Sequence, residues 1–355
     1  MSRKNKKWLL YGAYGYTGKL IIKEALKNQL EPIIAGRNSK KLISLAKKYD
    51  LEYETFSLEN SDEINSIIKN YDLLFNAAGP FKYTGEPLVK SCLKNSVDYL
   101  DITGEIEVFE KNFSYHEEAA DKETAIISGV GFDVIPTDCM AVYISEQIEN
   151  PVTLELGIAA LSRSSPGTMK TMIESISKGT VIRKEGKLET IPLGKGKKKI
   201  QFQDKEREVY PISWGDVSTA FRSTGIPNIT AYMPQPKQFK LAIKYNFLVR
   251  NLFKLKFIRK KAQKWVDKNV KGPTEEIRES STAQVYVKVE NKKGQKAEAW
   301  LLTPEAYKFT ALSSVKCVRK VFEGELKGAL TPAQAFGRDF VLQFPDTERC
   351  DTLKS

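Results

Sequence analysis

The sequence predicts an α/β chain: a doubly wound parallel sheet near the start, then a second, α+β domain built on a mixed sheet. Three observations carry this. A short apolar run at Trp8–Tyr11 opens into a glycine turn and a helix. Strand and helix signals then alternate six times before residue 150, as parallel sheets require. Beyond Pro151 the alternation stops and strands predominate.

The first stretch, WLLYGAYGYTGK from Trp8 to Lys19, reads as buried strand, glycine turn and helix. Gly12 permits the tight turn, Gly15 lets backbone approach a diphosphate, and Gly18 lets helix and strand pack closely. The helix start, with Tyr14, Tyr16 and Thr17 around it, offers unpaired N–H groups to an anion. The spacing G-x-x-G-x-x-G differs from the usual G-x-G-x-x-G, so the flanking strand and helix carry the reading of a Rossmann-like nucleotide cradle. Glu31–Ala35 reads as the second strand, ending in Gly36, Arg37, Asn38 and Ser39, with no acid between Pro32 and Lys48. An acid at that point would hold a ribose 2′-hydroxyl, whereas Arg37 suits a 2′-phosphate, so NADP is the expected cofactor.

Lys40–Tyr49 reads as a helix, Glu52–Phe56 as a strand, Asp62–Lys69 as a helix capped by Asn60 or Ser61, and Asp72–Ala78 as the fourth strand. That strand runs into Ala78, Gly79, Pro80 and Phe81, with a helix from Glu86 to Lys94. Val97–Asp101 is the fifth strand, a polar helix covers Glu107–Glu123, Thr124–Ser128 is the sixth strand, and Thr137 caps a helix to Ile148. Glycine recurs at four strand exits: 12–18, 78–81, 101–105 and 129–133. Ligands of open α/β sheets lie beyond the carboxyl ends of strands, so four such loops fit a long ligand laid across that edge.

In the second part, Val152–Ala160, Val209–Thr219, Asn228–Met233 and Ala283–Val289 read as strands and Gly167–Ser177 as a helix. Pro234-Gln235-Pro236 marks a break. Pro304–Phe322 is a long helix, and Thr331-Pro332-Ala333 opens a short last one. The expected division is a nucleotide-binding domain over 1–150 and a substrate or dimerisation domain over 151–302.

The 355 residues are 41% hydrophobic and 28% charged, as in an ordinary globular protein. Four scattered cysteines without a C-x-x-C pair give no zinc or disulfide framework, and no metal is expected. MSRKNKKW lacks the apolar core of a signal peptide, so a cytoplasmic location is expected. The net charge is +12. From 237 to 261, nine Lys or Arg interleave with Phe, Leu and Ile and no acid. Such a stretch either lies on an anionic membrane, making the protein peripheral to it, or buries its apolar stripe and solvates its lysines. No nucleic-acid module is present, and nucleic acid is not an expected partner.

GAYGYTGKL from Gly12, AGRN from Ala35, NAAGPF from Asn76, DYLDITGE from Asp98, SGVGFDVIPTDC from Ser128, SPGTMKTMIES from Ser165, STGIPNI from Ser223 and LTPAQAFG from Leu330 together resemble the saccharopine dehydrogenase-like oxidoreductases. The resemblance is to the shorter members, similar to trans-acting enoyl reductases of lipid assembly and to lipid-associated proteins. It implies an NADP-type Rossmann domain to which residues 303–355 return. The implied activity is hydride transfer to a small-molecule or lipid-linked enoyl, keto or imine substrate, with a second copy of the chain as a candidate partner.

A reductase also needs a proton donor. The sole histidine, His116, lies on the polar helix and reads as a solvated residue, and no tyrosine has a lysine four residues on. The candidates are therefore Asp101 and Thr103 after the fifth strand and Asp133 after the sixth, each of which could equally cap a turn. Without a donor, the same cradle would make a non-catalytic NADP-binding scaffold or sensor.

Overall fold

The structure is a computed structural model that describes residues 6–160, 165–175, 179–235, 252–253 and 255–353. It divides into two compact units: residues 1–133 with 307–336, and residues 134–306 with 337–355. The boundary thus lies at Asp133/Val134 and not near 150. The helix expected after Thr137 opens the second unit, and of the expected return over 303–355 only 307–336 joins the first.

Up to Asp133 the elements are β1 (Trp8–Tyr11), α1 (Tyr16–Lys27), β2 (Ile33–Gly36), α2 (Ser39–Tyr49), β3 (Tyr53–Thr55), α3 (Ser61–Ile68), β4 (Leu73–Asn76), α4 (Phe81–Asn95), β5 (Asp98–Asp101), α5 (Ile106–Phe113), α6 (His116–Asp121) and β6 (Ala125–Ile127). The second unit opens with α7 (Ile135–Ser145), β7 (Pro151–Ala160), α8 (Pro166–Ser175), β8 (Thr180–Lys184), β9 (Lys187–Ile191), β10 (Lys198–Gln201) and β11 (Glu206–Ile212). It continues with α9 (Asp216–Thr224), β12 (Asn228–Pro234), α10 (Lys256–Asn269), α11 (Glu275–Ser280), β13 (Thr282–Asn291) and β14 (Lys296–Pro304). Last come α12 (Ala306–Glu323), β15 (Gly328–Leu330), α13 (Pro332–Phe336) and β16 (Glu348–Cys350).

The first unit is a seven-stranded parallel sheet in the order β15-β6-β5-β4-β1-β2-β3, the doubly wound sheet that the sequence predicts with one more strand. Its centre is dry: all of β1 and β4 is buried, and α1 covers the sheet with Ile21, Ile22 and Ala25 at helical spacing. Asn60 caps α3 by accepting from Asp62 N at 3.0 Å and Glu63 N at 3.2 Å. The expected polar helix is two, α5 and α6, broken at Ser114–Tyr115. His116 is half-buried, not simply solvated. Its Nδ1 lies 2.9 Å from Ala329 O, and its ring fills the space where a Cβ on Gly328 would stand. It secures β15 against the edge of β6.

The second unit is a mixed nine-stranded sheet with the path β10-β11-β12-β7-β13-β14-β16, on which β8 pairs β12 and β9. Only β12–β7 is parallel among these pairs. Alternation sets its two faces: Leu154, Leu156, Ile158, Val285, Val287, Val289 and Leu301 are buried on the one, Tyr286 and Trp300 on the other. The strand expected to reach Thr219 stops at Ile212; 216–224 is a helix that buries Val217 and Ala220 and ends at Gly225 with φ +70°. Thr137, expected as a cap, lies inside α7, and its Oγ1 donates to Val134 O at 3.0 Å.

Candidate functional site

The candidate site is built on the carboxyl edge of the parallel sheet. Gly12 leaves β1 at φ +85°, and a Cβ there would lie 2.8 Å from the Ala78 Cβ and backbone N. Its carbonyl accepts from Gly15 N at 2.9 Å, which closes the turn. Gly18 stands in the first turn of α1, where a Cβ would come within 2.6 Å of Gly12 O. α1 begins at Tyr16, three residues before the expected start, and its cap Gly15 has no side chain to take up the first amides. The Tyr16 ring meets that of Tyr307 edge-on at 5.1 Å, and Thr17 is half-exposed in the same turn. An anion would find open N–H groups and the positive end of the α1 dipole here.

Beyond β2, a Cβ on Gly36 would lie 2.7 Å from Tyr14 Cε1, so the tyrosine ring lies against bare backbone. Lys41 Nζ stands 5.5 Å from the centre of that ring. Arg37 is exposed beside them. Asn38 caps α2, its Oδ1 accepting from Lys41 N at 3.0 Å. Next to this turn, Tyr14, Lys19, Lys40, Lys41, Ser44 and Lys48 line a cavity of about 470 Å³ with no carboxylate among its walls. The basic character read from the sequence thus extends from Arg37 along α2, and Lys19 and Lys48 add to it from positions that spacing alone did not single out.

The β4 exit is held from within. Asn76 Oδ1 accepts from Ala78 N at 3.0 Å, and Thr84 Oγ1 donates to Ala78 O at 2.6 Å. Gly79 and Pro80 follow, then Phe81, which is buried. α4 starts at Phe81, five residues before the expected Glu86, because Glu105 supplies acceptors for its first amides.

Of the three expected acid/base residues, Asp101 and Thr103 are fully buried. Asp101 Oδ1 accepts from Thr103 N and Gly129 N, both at 3.0 Å, and its Oδ2 accepts from Ser128 Oγ at 3.0 Å. Thr103 Oγ1 accepts from Glu105 N at 3.1 Å. Both side chains therefore tie loops together. Asp133 is partly exposed, and its Oδ2 lies 3.0 Å from where a Cβ on Gly104 would stand. Burial pushes the carboxyls of Asp101 and Asp133 up to about 6; for Asp101 this outweighs the opposing pull of its hydrogen-bond donors.

Residues 8–127 match the family model for the saccharopine dehydrogenase NADP binding domain. The human saccharopine dehydrogenase-like oxidoreductase is 30% identical over 203 residues, 50% of this chain and 47% of that protein. A lipid droplet localized protein of Caenorhabditis elegans is 26% identical over 190 residues, 48% of this chain and 44% of that one. The chain thus spans about half the length of the curated relatives it matches. Apo saccharopine dehydrogenase (L-Glu forming) of Saccharomyces cerevisiae shares the fold, with a TM-score of 0.61 at 11% identity over 97% of this chain and 100% of that one. Residues 8–127 are thus similar to the saccharopine dehydrogenase NADP binding domain, about half of the chain resembles saccharopine dehydrogenase-like oxidoreductases, and the chain as a whole shares the fold of the yeast enzyme.

Proposed function

We propose that the chain is an NADP-dependent oxidoreductase acting on an enoyl, keto or imine substrate that is lipid-linked. The observation that carries the reading is the open start of α1 beneath Gly12 and Gly18, with Arg37 at the next strand exit. Gly12, Gly15, Tyr16, Thr17 and Gly18 would hold the diphosphate. Tyr14, Gly36, Arg37 and Asn38 would frame the adenosine end, and Ala78, Gly79, Pro80 and Phe81 the nicotinamide end. When bound, the cofactor supplies a hydride. Asp133 is the residue to which we assign the proton: it alone of the three candidates is partly exposed, and a carboxyl at about 6 keeps a protonated fraction near neutral pH. Asp101 and Thr103 would position the loops around it. The worm relative's name favours a lipid connection.

Arg37→Ala should weaken NADPH about tenfold or more and leave NADH within about twofold, since only the former offers a 2′-phosphate to the guanidinium. Equal losses for both would remove Arg37 from this role. Single-turnover NADPH oxidation with a panel of enoyl, keto and imine compounds would identify the reaction. Asp133→Asn should then slow it at every pH and abolish the fall in rate as pH rises through about 6.

A second reading, an NADP-binding scaffold peripheral to membranes, is favoured by α10. The expected membrane segment, 237–261, falls largely outside the described residues, but its end continues into this helix. Phe257 is 64% exposed and Trp265 59%, and they share the outer face with Lys260, Lys261, Lys264 and Lys268. Aromatic rings among lysines suit an anionic interface. Among the described residues no helix is long and apolar enough to cross a membrane. The double variant F257A/W265A should lose most co-sedimentation with phosphatidylserine vesicles; unchanged pelleting would dismiss this face.

A further inference from the structure

α1 and α4 both follow strands of the parallel sheet, yet their first turns differ. α1 opens on Gly15, without a side chain. At α4 the first two amides are already bonded: Glu105 Oε1 accepts from Phe81 N at 2.8 Å and Oε2 from Lys82 N at 3.0 Å. The carboxylate arrives from the β5 exit loop and is itself braced. Glu105 N donates to Thr103 Oγ1, Thr103 N to Asp101 Oδ1, and that oxygen also accepts from Gly129 N beyond β6. Asp101 Oδ2 accepts from Ser128 Oγ, which in turn accepts from Asn112 Nδ2 at 2.8 Å. One hydrogen-bonded chain thus joins the exits of β4, β5 and β6. Its terminal link is charge-assisted and lies at the positive end of a helix, where a carboxylate is favourable and a second anion is not.

We propose that Glu105 is a positioning residue for the nucleotide, a built-in anion that closes the α4 start to phosphate. Its carboxylate steers the diphosphate to α1 and fixes the Ala78–Phe81 turn as the wall for the nicotinamide half. The inference rests on the nucleotide reading above. It gives the two helix starts opposite tasks, one receiving the ligand's charge and the other refusing it. Glutamate is suited to this because its two oxygens serve two successive amides at once; a glutamine would serve one and bring an N–H to the other.

The test uses the full chain, with Glu105→Ala and Glu105→Gln titrated with NADPH, with 2′,5′-ADP and with inorganic pyrophosphate. 2′,5′-ADP carries the adenosine end but no nicotinamide half. Glu105→Ala should weaken NADPH about tenfold, leave 2′,5′-ADP within about twofold, and bind pyrophosphate more tightly than the wild type, because the α4 amides are released. Glu105→Gln should fall between the two in NADPH affinity. Equal weakening of NADPH and 2′,5′-ADP, or no change in either, would overturn the proposal. So would unchanged or weaker pyrophosphate binding. A wild-type chain that binds neither nucleotide would overturn the nucleotide reading itself and this inference with it.

Discussion

Asp101 ends β5 and Asp133 lies beyond the neighbouring β6, and burial raises both carboxyls to about 6. An acid that holds its proton more tightly in the fold than in the unfolded chain stabilises the fold at low pH, and this contribution is lost as pH rises through the folded value. For Asp101 the window runs from the ordinary carboxylate range near 4 up to about 6, and the contribution across it is about 3 kcal/mol. The unfolding free energy of the wild type minus that of Asp101→Asn, from urea titrations, should therefore decline between pH 4 and 6 and be flat above 7. A difference that is constant from pH 4 to 7 would contradict the burial account. The sequence marked Asp101 and Thr103 by their place after a strand, but not what they do there. Asp101 binds Ser128 and Gly129, 27 and 28 residues on, and no local spacing reveals such a partner. The reading of Arg37 needs only the residue type at one strand exit and the missing acid beside it, and the nucleotide titration proposed above tests it.

At the scale of single elements, helices were read best where one periodic face and a local cap decide them. α3 illustrates this: Ile64 and Ile68 are buried and Asn60 caps. Asn60→Ala should cost about 1 kcal/mol in chemical denaturation and leave nucleotide affinity alone, since the cap is exposed and far along the chain from the cradle. Gly18→Ala should do the reverse of a mild surface change. Its Cβ would meet the backbone oxygens of Gly12 and Ala13 at 2.6 and 2.7 Å, which cannot swing aside. Roughly 1–3 kcal/mol of stability should go, and NADPH binding with it. Binding retained at wild-type strength would show that the cradle tolerates a wider gap. The misread elements depend on distant residues or on turn chemistry. α4 begins early because Glu105 caps it from 24 residues away. β14 was missed, although Asn291 organises its hairpin turn by accepting from Lys293 N and Gln295 N at 3.0 Å. α9 stands where the sequence pattern predicts the end of a strand, because Val217 and Ala220 are apolar in either period.

For the whole molecule, the first unit is completed by residues 307–336, far along the chain from the strands they join. β15 covers the edge of β6, and α12 packs Phe309 edge-on to Phe132 at 6.2 Å. Thr310 Oγ1 accepts from Phe132 N at 3.1 Å, and Ser313 Oγ donates to Val130 O at 2.9 Å. Phe309→Ala should thus destabilise the nucleotide-binding unit by about 3–5 kcal/mol, read from its urea midpoint. A loss below about 1 kcal/mol would mean that α12 only decorates that unit. The two-part plan was visible in the change of rhythm at Pro151. The exact seam was not, because α7 is apolar nearly all round and fits either neighbour by composition. The glycine cradle and the basic turn after β2 together form the proposed nucleotide site. Isothermal titration of the purified chain with NADPH and, separately, NADH tests both at once. Saturable binding of NADPH at one site per chain, with NADH at least about tenfold weaker, is the expected result; no saturable heat with either nucleotide would contradict it.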